Sequence, residues 1–105
     1  MPIEQPSLLR DAQRLEKAAD ILKTIAHPVR LEMLDILEVF GELPVSEIQS
    51  RLSVGVEQPM VSHHLIKMKD KGILLSSKKG VSVSYRLADP NITRIFTCME
   101  DCSLF

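Results

Sequence analysis

Apolar residues recur along most of this chain at helical spacing, then switch late in the sequence to strict alternation. The best defined helical stretch runs from Gln58 to Gly72. In it Val61, His64, Leu65 and Met68 fall at i, i+3, i+4 and i+7, one stripe able to pack into a core. Pro59, Ser62, His63, Ile66 and Lys67 fall on the other side, and Gln58 opens the helix one turn before Ser62. Lys69 and Lys71 occupy the last turn, where cations suit the negative end of the helix dipole. Gly72 is a C-terminal stop.

The same pattern divides the rest of the chain. Ser7 to Ala26 predicts a first helix, capped by Ser7, with Leu8, Ala12, Leu15, Ala19, Leu22 and Ile25 on one stripe. His27-Pro28 breaks and restarts the chain, since proline is well suited to a first helical position. A second helix then runs from Pro28 to about Phe40, with Leu31, Leu34 and Leu37 inward and Gly41 as its end. Leu43-Pro44-Val45 is a short extended link or strand. A short third helix from Val45 to Leu52 buries Ile48 and Leu52; Ser46 with Gln49 matches a capping box, or Pro44 marks an earlier start. Ser53 to Glu57 is a turn, with Gly55 lending it flexibility.

After Gly72 come Ile73 to Lys78 and then Val81, Val83, Tyr85 and Leu87, which alternate with Ser82, Ser84 and Arg86. Such alternation predicts a strand with one buried face, and Lys79-Gly80 is a hairpin turn signal. A lone hairpin is not stable in water, so this one must lean on the helices. Asp89 as cap and Pro90 as first residue open a last helix over Asn91 to about Ser103, with Ile92, Ile95, Phe96 and Met99 apolar. Residues 1–6, with Pro2 and Pro6, read as a loose tail. The fold class that results is mainly α with a small β-hairpin, in the order α-α-α-α-β-β-α. It is a winged helix-turn-helix, a single domain over residues 1–105.

Composition sharpens this picture. A 105-residue chain with 45% hydrophobic residues folds, but its core is small, so a partner subunit is unsurprising. The net charge of −1 hides an uneven distribution. Up to Glu57 there are six basic residues against ten acidic ones, whereas Gln58 to Ala88 holds six basic residues against Asp70 alone. Positive potential concentrated on the helix and hairpin is what a DNA-facing surface needs. Gln58 and His63 are expected to approach bases of double-stranded DNA, with Ser62 and Pro59 beside them. Lys67, Lys78 and Lys79 are expected to hold phosphates. His64 reads as a structural residue on the apolar stripe, and His27 as a helix-junction residue.

Bland readings stand beside these. The helix would also serve as an ordinary amphipathic surface helix, and the chain as a winged-helix protein-interaction module without DNA binding. An enzyme is not expected. The sequence has no Gly-rich phosphate loop, no nucleophile paired with a base at a recognisable spacing, and acidic residues spread over helix surfaces. It also carries no signal-peptide pattern and no membrane-spanning run, and its two cysteines make no disulfide framework. A reducing cytoplasm, with no membrane partner, is the simplest setting.

The segments LKTIAHPVRLEMLDIL, LPVSEI and QPMVSHHLIKMKDKGIL, with the hairpin ending in YRL, resemble the ArsR/SmtB family of bacterial transcriptional repressors over roughly Leu22 to Leu87. The resemblance implies a homodimeric repressor on an operator of imperfect twofold symmetry. It also implies dimerisation through the first and last helices, residues 7–26 and 90–104. Many relatives sense metals, and here this chain departs from the pattern. Where one family site has cysteines, this chain has Glu42, Leu43, Pro44, Val45 and Ser46, which do not suit a soft metal. Where another has Asp-x-His and two further ligands, it has Asp89, Asn91, Cys102 and Phe105. No metal is expected at either place.

Cys98 and Cys102 lie four apart on the last helix, which sets both thiols on one side. Three readings of the pair stay open. The two residues fill a dimer interface, they form a thiol-based switch, or they hold a soft metal ion or arsenite with a third ligand from elsewhere. A repressor with no small-molecule or metal inducer is the further alternative. No other cofactor is expected.

Overall fold

The structure, a computed structural model, describes residues 11–103. The expected Ser7 cap, the start of the first helix and the residue 1–6 tail lie outside the described residues. Helix α1 (Ala12–Ile25) is capped within them by Asp11, whose Oδ1 accepts from the Gln13 N–H at 2.9 Å and the Arg14 N–H at 3.4 Å. Helix α2 (Pro28–Phe40) opens on His27, whose imidazole Nδ1 accepts from the Val29 N–H at 3.1 Å, with Pro28 behind it. His27 is thus the junction residue the sequence implied, and an N-cap as well.

Strand β1 (Leu43–Pro44) is followed directly by α3 (Val45–Arg51). The predicted capping box does not form. Pro44 occupies the N-cap position, which puts Ser46 inside the helix, and Gln49 instead donates Nε2–H to the Val56 carbonyl at 2.9 Å. The turn between α3 and α4 (Gln58–Asp70) is held from two sides, by Gln49 and by Glu32 of α2. Gly55 takes no positive φ, so side-chain anchoring rather than a special backbone shape sets the turn.

Helix α4 ends in two backbone bonds, Gly72 N–H to the Lys69 carbonyl and Ile73 N–H to the Met68 carbonyl, both 2.9 Å. With Gly72 at φ +79° this is a Schellman motif, and buried Ile73 and Met68 supply its apolar contact. The wing is β2 (Leu74–Lys79) and β3 (Ser82–Leu87), antiparallel, with Lys79 opposite Ser82. Gly80 and Val81 form the two-residue turn, and Gly80 at φ +60° supplies the left-handed first position that a type II′ hairpin needs. The hairpin is part of a three-stranded sheet in the order β1-β3-β2, because Leu43 and Pro44 pair with Tyr85 and Ser84. Val81 is not an inward strand residue but the fully exposed tip of the turn.

The last helix is also modified. Pro90–Thr93 forms a 3-10 turn capped by Asp89, and α5 proper is Arg94–Asp101. Buried Thr93 donates its hydroxyl to the Pro90 carbonyl three residues back, a bond that suits the tighter turn.

The core joins α2, α3, α4 and the sheet through Met33, Leu34, Leu37, Ile48, Leu65 and Leu74, with Val61 and Met68 also fully enclosed. Each fully buried side chain of this kind contributes about 1.5–3 kcal/mol, so α4 is firmly seated. Leu34 and Leu37 face inward as expected. Leu31 and Leu52 are only half-buried, while Met33 and Ile36 join the interior.

Both terminal helices leave part of their stripes uncovered, although Ile25 is buried and Phe96 packs against the core. Leu15 and Leu22 on α1 are 39% and 49% exposed, and α5 buries none of its residues. No helix among the described residues is long and apolar enough to cross a membrane.

Candidate nucleic-acid interface

The predicted stripe of α4 is the observed one: Val61, His64, Leu65 and Met68 are its buried residues. Burying that side fixes the rotation of the helix, which leaves Gln58, Pro59, His63 and Lys67 exposed and Ser62 half-buried. Gln58, Ser62 and Ile66 form one row at four-residue spacing. They line a groove of about 330 Å³ whose other wall includes Ser82 and Val83 of the wing and Ser46 of α3. Pro59, His63 and Lys67 lie outside the groove lining. Lys78 and Lys79 stand exposed at the end of β2, beside the Gly80-Val81 tip.

The basic segment is not uniformly free. Lys71 Nζ pairs with Asp20 Oδ2 of α1 at 3.0 Å, and Arg86 Nη1 pairs with Glu42 Oε1 and touches Ser77 Oγ, both at 3.2 Å. Lys67, Lys69, Lys78 and Lys79 enter none of the ion pairs among the described residues.

Sequence reasoning gave Ser46, Ile66 and Ser82 no place in this groove. For Ile66 the signal was available, in the row Gln58, Ser62, Ile66. For Ser46 and Ser82 it was not, because α3 and the wing meet α4 there only in the folded chain.

Behind the interface, His64 is 4% exposed and its Nδ1 accepts from Arg30 Nε–H at 2.9 Å. Arg30 Nη1 also donates to the Thr24 carbonyl at 2.8 Å. The His64 ring packs against His27, centroids 4.6 Å apart and tilted by 48°. Burial is the first cause holding the His64 pKa below the ordinary 6.5, and Arg30, His27 and His63 add to it by repelling a proton there. On the wing, burial and then Asp70 push the Tyr85 phenol up.

Cys98 lies on α5, and Cys102 is the residue that closes it, one past the last helical residue rather than within the helix. Both are free and exposed. Glu42 is engaged with Arg86, and Asp89 Oδ1 accepts from the Asn91 N–H at 2.9 Å. Phe105 lies outside the described residues. Among the described residues no three of His, Cys, Asp and Glu come together as a metal cluster.

Comparison with known proteins extends the geometry. The profile described as "Bacterial regulatory protein, arsR family" matches residues 27–76. The HTH-type transcriptional regulator MJ1325 of Methanocaldococcus jannaschii is 33% identical over 89 residues, which cover 85% of this chain and 98% of that protein. The transcriptional repressor PagR of Bacillus anthracis is 36% identical over 86 residues, 82% of this chain and 84% of its own. The PagR crystal structure matches with a TM-score of 0.72 at 32% identity, covering 85% of this chain and 99% of that one. A homodimeric winged helix-turn-helix DNA-binding domain from Mycobacterium bovis, Mb0332, gives 0.72 at 26% identity, covering 94% and 87%. The matched profile starts on the His27 cap and runs through the turn and α4 into the first strand of the wing. With relatives similar along nearly their whole length, this means that the chain belongs to the arsR family of bacterial regulatory proteins.

Proposed function

We propose that two copies of this chain act in the cytoplasm as a transcriptional repressor. In this reading α4 enters the major groove of a twofold-related operator and the β2–β3 hairpin flanks it. One observation carries the reading: α4 seals one side in the core and turns Gln58, Pro59, His63 and Lys67 outward, next to a groove it shares with the wing. Gln58 and His63 approach base edges, with Pro59 and Ser62 beside them, and Lys67, Lys78 and Lys79 meet phosphates. The relatives support it, since PagR is named a transcriptional repressor and Mb0332 a homodimeric DNA-binding domain. The uncovered stripes of α1 and α5 supply the apolar surface for a partner copy. A gel-shift at moderate salt with the DNA upstream of the chain's own gene tests the assignment. Retarded complexes that survive excess random duplex support it, and equal competition by random duplex defeats it.

We propose further that Cys98 and Cys102 release the DNA when modified or when they hold a soft ion such as arsenite or Cd²⁺. Their exposure as free thiols near the C-terminal end of α5 supports this. Operator binding before and after arsenite, Cd²⁺, Zn²⁺, peroxide or polysulfide, repeated with Cys98→Ser and Cys102→Ser, decides it. Release that persists in both variants removes the thiols from the mechanism.

A further inference from the structure

The guanidinium of Arg30 is half-buried, yet it belongs to none of the ion pairs among the described residues. Its donors go to two neutral acceptors on two different helices. Nη1–H reaches the Thr24 carbonyl in the last turn of α1, where the helix leaves carbonyls without partners and a cation suits the dipole. Nε–H reaches Nδ1 of His64 in the middle of α4. A planar guanidinium holds both directions at once, which a lysine ammonium on a flexible stem does not.

We propose that Arg30 is the positioning residue of the recognition helix, a strut that sets α4 against the C-terminal end of α1 and works only while His64 is neutral. This rests on the reading that α4 faces DNA. The acceptor at Nδ1 requires a lone pair, so the bonded imidazole carries its proton on Nε2. A second proton would place N–H against N–H, with a guanidinium charge beside it and His27 packed on the ring. The charged and titratable groups that face His64 are Arg30 from α2, His27 from the α1–α2 junction and His63 on α4 itself, and all three oppose that proton. α1 contributes only the Thr24 carbonyl, through Arg30. Since α1 bears one of the uncovered stripes that await a partner copy, the strut links the dimer surface to the DNA surface.

Protonating His64 breaks the strut and weakens DNA binding. The test uses full-length protein and the duplex that wild type enriches from a random-sequence pool. Arg30→Lys keeps the charge and loses the fork. His64→Asn keeps an acceptor near the Nδ1 place and does not titrate. With the fold followed by circular dichroism, Arg30→Lys is expected to bind about tenfold more weakly or worse at about pH 7.5. Wild-type affinity is expected to fall as the pH drops from about 7.5 to about 5.5, by less than the roughly tenfold that an imidazole of ordinary pKa would give, and by more than that of His64→Asn over the same range. Imidazole nitrogen NMR is expected to show the Nε2–H tautomer at His64 in wild type and a changed Nδ1 resonance in Arg30→Lys. The strut is overturned by an Nδ1–H tautomer, by Arg30→Lys binding as wild type does, or by an unchanged pH profile in His64→Asn. Should wild type enrich no duplex at all, the DNA reading falls, while the NMR result still judges the strut.

Discussion

Glu32 on α2 holds Ser53 by both ends: its carboxylate accepts from the Ser53 N–H at 3.0 and 3.1 Å and from the Ser53 hydroxyl at 3.0 Å. The bonds span 21 residues of sequence and fix the first residue of the turn that aims α4. Glu32→Ala is expected to lower stability by about 1 kcal/mol, the lower part of the range for bonds to a charged group because Ser53 is exposed. Glu32→Gln, which keeps one acceptor, should lose less. Urea denaturation with an unchanged m-value checks this, and two variants as stable as wild type would show that the turn holds itself.

The two lysines beside the wing tip and the glutamine that opens α4 have different duties under the proposed function. Lys79→Ala is expected to weaken binding on operator and random duplex alike and to reduce the salt slope by about 0.9, one phosphate's share. Gln58→Ala is expected to change which base is preferred at one operator position while leaving the slope alone. Affinity measured against salt on both duplexes decides between them. Equal losses on both duplexes for both variants would cancel the division of labour.

Much of this arrangement was legible in the sequence because it is local. The α4 stripe repeats at helical period, Pro28 and Gly41 bound α2, and Asp89-Pro90 starts a turn wherever it stands. What was not legible is non-local or depends on one residue of register. β1 was legible as a short extended stretch, but its pairing with β3 was not. Val81 fits an alternating pattern with Val83 and Tyr85, but the Lys79–Ser82 pairing puts it in the turn. Ser46 and Gln49 satisfy the capping-box spacing, and only the structure decides for the alternative start at Pro44, which leaves Ser46 two positions inside the cap. The bond between Arg30 and His64 joins residues 34 apart, and no periodicity announces it.

His64 should also be visible in the pH dependence of stability. In the unfolded chain its imidazole takes a proton near 6.5, while in the fold burial, Arg30, His27 and His63 hold that value lower. Between the two the unfolded state binds more protons, so acid favours unfolding. The contribution is complete above about pH 6.5 and is lost as the pH falls through that value toward the folded one. Denaturation midpoints for wild type should therefore drop on acidification through this window more steeply than those of His64→Asn. Parallel curves would mean that His64 is not the group responsible.

The exposed stripes of α1 and α5 make the last prediction. Leu22 is 49% exposed and Met99 37%, both large apolar side chains on helices that leave them uncovered in one protomer. A second copy that covers them removes this surface from water, at about 25 cal/mol per Å² of apolar area. Leu22→Glu places a charge where that contact would form, and a buried carboxylate without a partner is costly. Because Leu22 lies outside the core, the variant should keep its helical circular dichroism while shifting from dimer to monomer in sedimentation. DNA affinity should fall with it, since a single α4 reads only half of a twofold site. A Leu22→Glu protein that sediments as wild type does would place the interface elsewhere than on α1.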